Sequence, residues 1–163
     1  MTDLVIGIDP GLTGAIAILS EGTALVALED LPVCRTPGKL AWIDGVQLQF
    51  LLNDKLNGQS ATAVVELVHS MPKQGVASSF AFGVSFGSVL SILQARQIPL
   101  HLISPTQWKR ALQLVGKDKK AALYKARLLF PQADLTLAKH HGRAEALLLA
   151  HWYLTGHTPC PPP

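Results

Sequence analysis

Cysteine, charge and leader signals are all scarce in this sequence, and each shortage narrows what the chain can be. Its two cysteines, Cys34 and Cys160, are too far apart to read as a disulfide framework or a zinc site, so two reduced thiols are expected. Charged residues make up only 15% of the chain against 48% hydrophobic, which excludes a disordered polyelectrolyte and calls for a large apolar interior. No unbroken apolar run reaches the roughly 18 residues of a membrane span. Met1-Thr2-Asp3 runs straight into an apolar stretch without the basic region of a signal peptide. A cytoplasmic protein with no membrane partner is expected. The 163 residues suit a single domain over 1–155, followed by a flexible Pro-rich tail over 156–163.

What is present starts with Leu4-Val5-Ile6-Gly7-Ile8-Asp9-Pro10-Gly11 and a second apolar run, Gly14-Ala15-Ile16-Ala17-Ile18-Leu19. An apolar run of strand length closed by Pro-Gly predicts a buried central strand, with the second run as its antiparallel partner. Asp9 then stands at the mouth of a sheet, where a carboxylate can hold a cation; a turn-forming Asp is the plainer reading. A third strand is expected at 24–28, a loop or ragged hairpin tip at 33–39, and a helix capped by Asp44 and ending near Asn57-Gly58. Ala61-Thr62-Ala63-Val64-Val65-Glu66 repeats the first pattern, a buried strand closed by an acid.

Small apolar residues at helical spacing predict a helix over 76–97, with Gly83 and Gly87 on one face for close packing against the sheet or, second, against another subunit. Leu100-His101-Leu102-Ile103 predicts a further strand. Short helical structure at 106–114, a helix over 119–130 capped by Asp118 and a last helix over 142–154 complete the series. Strands interleaved with helices in this order predict an α/β fold, a mixed sheet flanked by helices.

Asp9 and Glu66 at strand ends, with His141 and Glu145 four apart at the start of the last helix, are positions that can converge. Gathered carboxylates repel unless cations neutralise them, so one or two divalent ions are implied. Two such ions about 3.5–4 Å apart can activate water and hold a phosphate, which points to phosphodiester hydrolysis. Lys109, Arg110, Lys117, Lys119, Lys120, Lys125 and Arg127 crowd one segment, as a polyanion-binding surface or a solvated helix face would.

In order along the chain, Gly7-Ile8-Asp9-Pro10-Gly11, Val65-Glu66, His69-Ser70-Met71-Pro72-Lys73-Gln74-Gly75 with Phe82-Gly83, Pro105-Thr106-Gln107-Trp108-Lys109 and Gly142-Arg143-Ala144-Glu145-Ala146 resemble the RuvC-like Holliday junction resolvases, most closely the phage and chloroplast branches. The resemblance implies a ribonuclease H-like fold, with the first three strands antiparallel and the rest parallel. It also implies a homodimer that cuts four-way DNA junctions in pairs of nicks with Mg²⁺ or Mn²⁺. By position, Asp9, Glu66 and Glu145 match the metal-binding acids, while His141 stands where this branch usually has Asp, with His140 as the alternative one residue away. Imidazole suits Mn²⁺ better than Mg²⁺, so a Mn²⁺ preference is expected.

The loop carrying Met71, Pro72, Lys73 and Gln74 resembles the family's base-reading element, though on its residues alone it reads as a strand-to-helix turn. Lys117 or Lys119 corresponds to a catalytic lysine, and Lys109, Lys117, Lys119, Lys120 and Arg143 are candidate DNA contacts. Arg143 has a second reading, pairing with a surface carboxylate, and Trp108 reads as a packing residue. Two rivals stay open. One is a branched-DNA-binding protein whose metal site His141 has weakened. The other is an actin-like or sugar-kinase phosphate-binding domain suggested by Asp9-Pro10-Gly11-Leu12-Thr13, although no second such hairpin follows.

Overall fold

A central strand, β1 (Leu4–Asp9), runs antiparallel to β2 (Ala15–Leu19) and parallel to β6 (Ala61–Glu66) in the computed structural model, which describes residues 4–38, 40–67 and 75–156. Outside these lie β3 (Leu25–Asp30), antiparallel to β2, and β7 (Leu100–Ile103), parallel to β6, giving the order β3-β2-β1-β6-β7. This is the mixed sheet expected, three antiparallel strands and then parallel ones. The expected ragged tip is an ordered hairpin of its own, β4 (Val33–Arg35) with β5 (Ala41–Ile43).

Helices cover both faces, which is why β1 is apolar throughout rather than alternating with polar residues. Leu4, Ile6, Ile8, Ile16 and Ile18 share one core with α1 (Gly45–Leu56) and α2 (Val76–Ala95). Val5, Ala15, Ala17 and Leu19 point the other way, toward α3 (Pro105–Ala111), α4 (Lys119–Leu129) and α5 (His141–Leu154). That second face is lined with small residues, and Gly7 lies among them. A Cβ on Gly7 would collide with the carbonyl oxygen of Ala146 and stand 2.8 Å from the amide nitrogen of Ala150. α5 therefore lies against the strands at backbone distance.

The helix starts are set by side chains that satisfy the first free N–H groups. Asp44 Oδ1 accepts from the N–H of Val46 at 3.0 Å, and Asp118 Oδ1 from that of Ala121 at 3.0 Å. Ser104 and Gln107 form a capping box that opens α3 immediately after β7, at the same end of the sheet as Asp9 and Glu66.

α2 departs from expectation twice. Its 20 residues make a helix long and apolar enough to cross a membrane by length and composition, which interspersed Ser and Gly hide when only unbroken apolar runs are counted. Nor do Gly83 and Gly87 pack on the sheet: a Cβ at either would meet nothing within 4 Å. The buried residues of α2 are Ser85, Val89 and Leu93. Two residues correspond to about 200° of helical rotation, so the glycines face the opposite way.

Candidate metal centre

The ladder pairs Ile8 with Val65, so Asp9 and Glu66 are the next residues along two parallel neighbours. The alternation that turns Val5 and Val64 toward α5 turns Asp9 and Glu66 to the same face. Glu145 arrives from α5, which Gly7 admits. One oxygen from each of the three carboxylates lies within 4.8 Å of the others. A second glycine tightens the joint: a Cβ on Gly142 would meet the carbonyl oxygen of Thr13 and stand 3.3 Å from Asp9 Oδ2.

Crowding these acids has an electrostatic cost. Burial, then the charges of Glu145 and Glu66, push the Asp9 carboxyl from its ordinary 3.8 up to about 7, against the pull of the Gly11 N–H and of Lys109. Burial and Glu145 likewise raise Glu66, opposed by Lys109 and by the indole N–H of Trp108, which donates to Glu66 Oε1 at 2.9 Å. Lys109 Nζ sits 3.0 Å from Glu145 Oε1 and 5.0 Å from the centre of the Trp108 ring. One ammonium thus faces three carboxylates. Hard oxygen donors with that deficit of positive charge fit a divalent cation of the Mg²⁺ or Mn²⁺ type.

His141, expected as a fourth ligand, is not part of the group. It opens α5 a full turn before Glu145 and lines a neighbouring cavity beside Leu12, Thr13 and Gly14. His140 is no substitute: it is buried, its Nδ1 accepts the N–H of Leu137 at 3.4 Å, and it stands 3.8 Å from Asp134. Arg143 makes the contact of the second of its two readings, with surface carboxylates. Its Nε lies 2.7 Å from Asp30 Oδ1, and its terminal nitrogens lie 3.1 Å from Asp30 Oδ2 and 2.9 Å from Asp134 Oδ2. The guanidinium ties the first turn of α5 to the end of β3, and its hydrogen bonds hold the Asp30 carboxyl below its usual range.

Lys109, read in the sequence as a DNA contact, is the lysine brought to the acids among the described residues. Lys117, Lys119 and Lys120 lie exposed around the Asp118 cap. Met71, Pro72, Lys73 and Gln74 fall outside the described residues. Sequence reasoning missed the pairing of Trp108 with Glu66. The signal was the Ser104-Pro105-Thr106-Gln107 cap directly after a strand, which sets residues 108 and 109 at the sheet mouth.

A mixed sheet whose central parallel strands end in carboxylates, completed by a third from the last helix, defines the ribonuclease H-like class of folds. Two solved structures narrow this to a RuvC-like fold. Thermus thermophilus RuvC in complex with a Holliday junction substrate superposes with a TM-score of 0.63 at 18% identity, covering 94% of this chain and 96% of that one. The yeast mitochondrial Holliday junction resolvase Ydc2 gives 0.53 at 15% identity, covering 92% and 77%. In sequence, 93 residues are 39% identical to the chloroplastic Holliday junction resolvase MOC1 of Chlamydomonas reinhardtii, which is 55% of this chain and 10% of that protein. The match thus spans about a tenth of that relative's length. No family model matches the chain.

Proposed function

We propose that this chain is a structure-selective endonuclease that resolves four-way DNA junctions by paired, divalent-metal-dependent hydrolysis of phosphodiester bonds. The observation that carries this reading is the meeting of Asp9, Glu66 and Glu145 at the mouth of a RuvC-like sheet. These three carboxylates would hold Mg²⁺ or Mn²⁺, which when bound supplies an acidified water and neutralises charge on the phosphate.

The chain's own side chains prepare the site. The Trp108 indole fixes the orientation of Glu66, and the Gly11 N–H, 3.4 Å from Asp9 Oδ1, orients Asp9. Lys109 neutralises Glu145, and with a cation held by the acids its ammonium would be available to a phosphate oxygen. Two ions per site and a preference for Mn²⁺ are finer parts of the proposal. They require His141 to turn from its cavity toward the acids, and selective loss of Mn²⁺-supported nicking in His141→Ala is their check. Lys117, Lys119 and Lys120 supply exposed positive charge for the DNA backbone. Met71, Pro72, Lys73 and Gln74 are kept as base-reading residues on the strength of the sequence resemblance.

Paired nicks need two sites related by symmetry, and α2 offers the surface for a second copy of the chain. Val76 and Phe80 are exposed on it, and Gly83 and Gly87 leave room for close approach. A cytoplasmic location completes the proposal and is checked by the distribution of a tagged chain.

The decisive experiment presents the protein, with Mg²⁺ or Mn²⁺, with a synthetic four-way junction and a linear duplex of the same arms. Symmetric nicks on the junction alone are expected. Retention of the junction without nicks under either ion would replace the enzyme with a branched-DNA-binding protein, and indifference to branching would refute both.

A further inference from the structure

On its α2 side the metal centre borders a cavity of about 470 Å³, walled by Leu12 and Thr13 of the turn after β1 and by Ala77, Ser78, Ala81 and Phe82 of α2. α2 supplies that wall because its first turns reach past the strand ends. Ser85, Val89 and Leu93 are its buried side, and Ala81, Phe82 and Ser78 continue that side toward the N-terminus at spacings of three and four. There they face the turn instead of strands and are half-buried or exposed, so the space between stays open. Gly83 and Gly87 look the other way, about half a turn round the helix, so a second copy of the chain on their face does not compete for this one.

Gly11 sets the cavity against the acids. A Cβ there would stand 3.7 Å from Asp9 Oδ1 and 3.9 Å from the Phe82 ring, so a single residue separates the carboxylate from the aromatic wall.

The lining decides what the cavity can hold. None of the described residues that wall it is ionisable, so it offers no charge to a further cation or to a phosphate. Thr13 and Ser78 bring hydroxyls that both donate and accept, and Phe82 brings a π surface. A space of this size, largely apolar with a few neutral polar groups, is the ordinary form of a site for a flat organic group. A phosphodiester held at the acids carries a nucleoside on each bridging oxygen, and at a branch point base stacking is already interrupted. A base turned out toward α2 therefore meets an uncharged, aromatic-walled cavity one residue away from the carboxylate that holds its phosphate.

We propose that this cavity receives the base of a nucleotide esterified to the cleaved phosphate, with the Phe82 ring against the base and the Thr13 and Ser78 hydroxyls toward its edge. The proposal rests on the resolvase reading and deepens it by naming where the base beside the cut is held.

The test uses four-way junctions with one abasic nucleotide at a time, stepping outward in both directions from the mapped cut, under single-turnover conditions. An abasic nucleotide at one position beside the cut should slow wild type about tenfold, the size of a lost base–aromatic contact. Phe82→Ala should nick the intact junction about tenfold more slowly, and the abasic nucleotide at that position should slow it by no more than about twofold further, because the contact is already gone. Ala81→Trp, which fills the cavity from the same helix, should behave in the same way. Both variants should match wild type in Mn²⁺ titration and in the slope of log affinity for the junction against log salt, because the contact is uncharged. Losses that multiply at every position, a weakened Mn²⁺ titration, or Phe82→Ala as fast as wild type would overturn the assignment of the cavity alone. Where Phe82→Ala does not fold, Ala81→Trp as fast as wild type overturns it. A wild-type chain that nicks no junction would instead overturn the resolvase reading, and this subsite with it.

Discussion

Asp9→Asn should strengthen the metal-free fold while destroying the site, and the size of the gain can be worked from the electrostatics. Burial and the two neighbouring acids lift the Asp9 carboxyl from 3.8 to about 7. In the unfolded chain Asp9 ionises near its ordinary value, so between those two limits the folded state holds a proton that the unfolded state has released. Stability conferred by the protonated carboxyl is therefore complete below about pH 4 and is lost as pH rises to about 7, by about 1.4 kcal/mol for each pH unit. About three units give an upper bound of about 4 kcal/mol; solvent contact, and the sharing of the repulsion with Glu66 and Glu145, bring the expected value to about 2–4 kcal/mol.

Asparagine keeps the shape and can still accept the Gly11 N–H, but never ionises. Urea unfolding with a chelator present should thus show the two proteins nearly equal at about pH 4 and the variant more stable by about 2–4 kcal/mol at about pH 8. Adding Mn²⁺ should raise the wild-type midpoint and leave that of the variant almost unmoved, because a ligand stabilises only the state that binds it. Nicking of the junction should be lost. A stability difference that stays flat from acid to alkaline pH would show that the three carboxylates do not strain one another, and the account of the site as a cation-demanding cluster would fall.

Trp108→Phe removes the donor to buried Glu66 and should cost about 1–3 kcal/mol in urea unfolding. Because the indole bond opposes the rise of the Glu66 pKa, its loss should also move the pH dependence of Mn²⁺ binding upward, and an unchanged profile would refute that role. Gly7→Ala drives a methyl into the carbonyl oxygen of Ala146, so a loss of about 3 kcal/mol or more and of Mn²⁺ binding is expected, read by thermal unfolding and metal titration. Phe80→Glu places a charge on the exposed face of α2 and should convert a dimer to a monomer by light scattering with the circular dichroism unchanged. A wild-type chain that is monomeric at the same concentrations would refute the α2 interface.

The acids were legible because a strand's alternation is local. Gly7 and Asp9 share a face, as do Val64 and Glu66, and an apolar run that ends abruptly in a carboxylate marks the sheet mouth without further knowledge. Glu145 was read from its place at the start of the last helix, and the resemblance matched it. What stayed hidden depended on partners remote in the chain: Arg143 meets Asp30 across 113 positions, and no local pattern distinguishes that bond from a contact with DNA. His141 lies apart from the three acids for a different reason. Spacing of four places two residues on one helical face, but at the first residue of a helix the preceding segment decides where the side chain goes, and here it goes past the Leu12–Gly14 turn. For α2 the spacing of Gly83 and Gly87 gave their common face correctly. The helix is apolar on every side, so nothing in it said which face meets the sheet.

The last described helix lies on the first strand, and this orders events during synthesis. Asp9 and Glu66 leave the ribosome early and can pair into the sheet, but the residue that completes the trio travels on a segment that must itself be fully released before it can slide in over Gly7. That same segment contributes Ala144, Leu147, Leu148 and Trp152 to the interior. A nascent or prematurely ended chain therefore lacks the third carboxylate and a large part of the core on that face together.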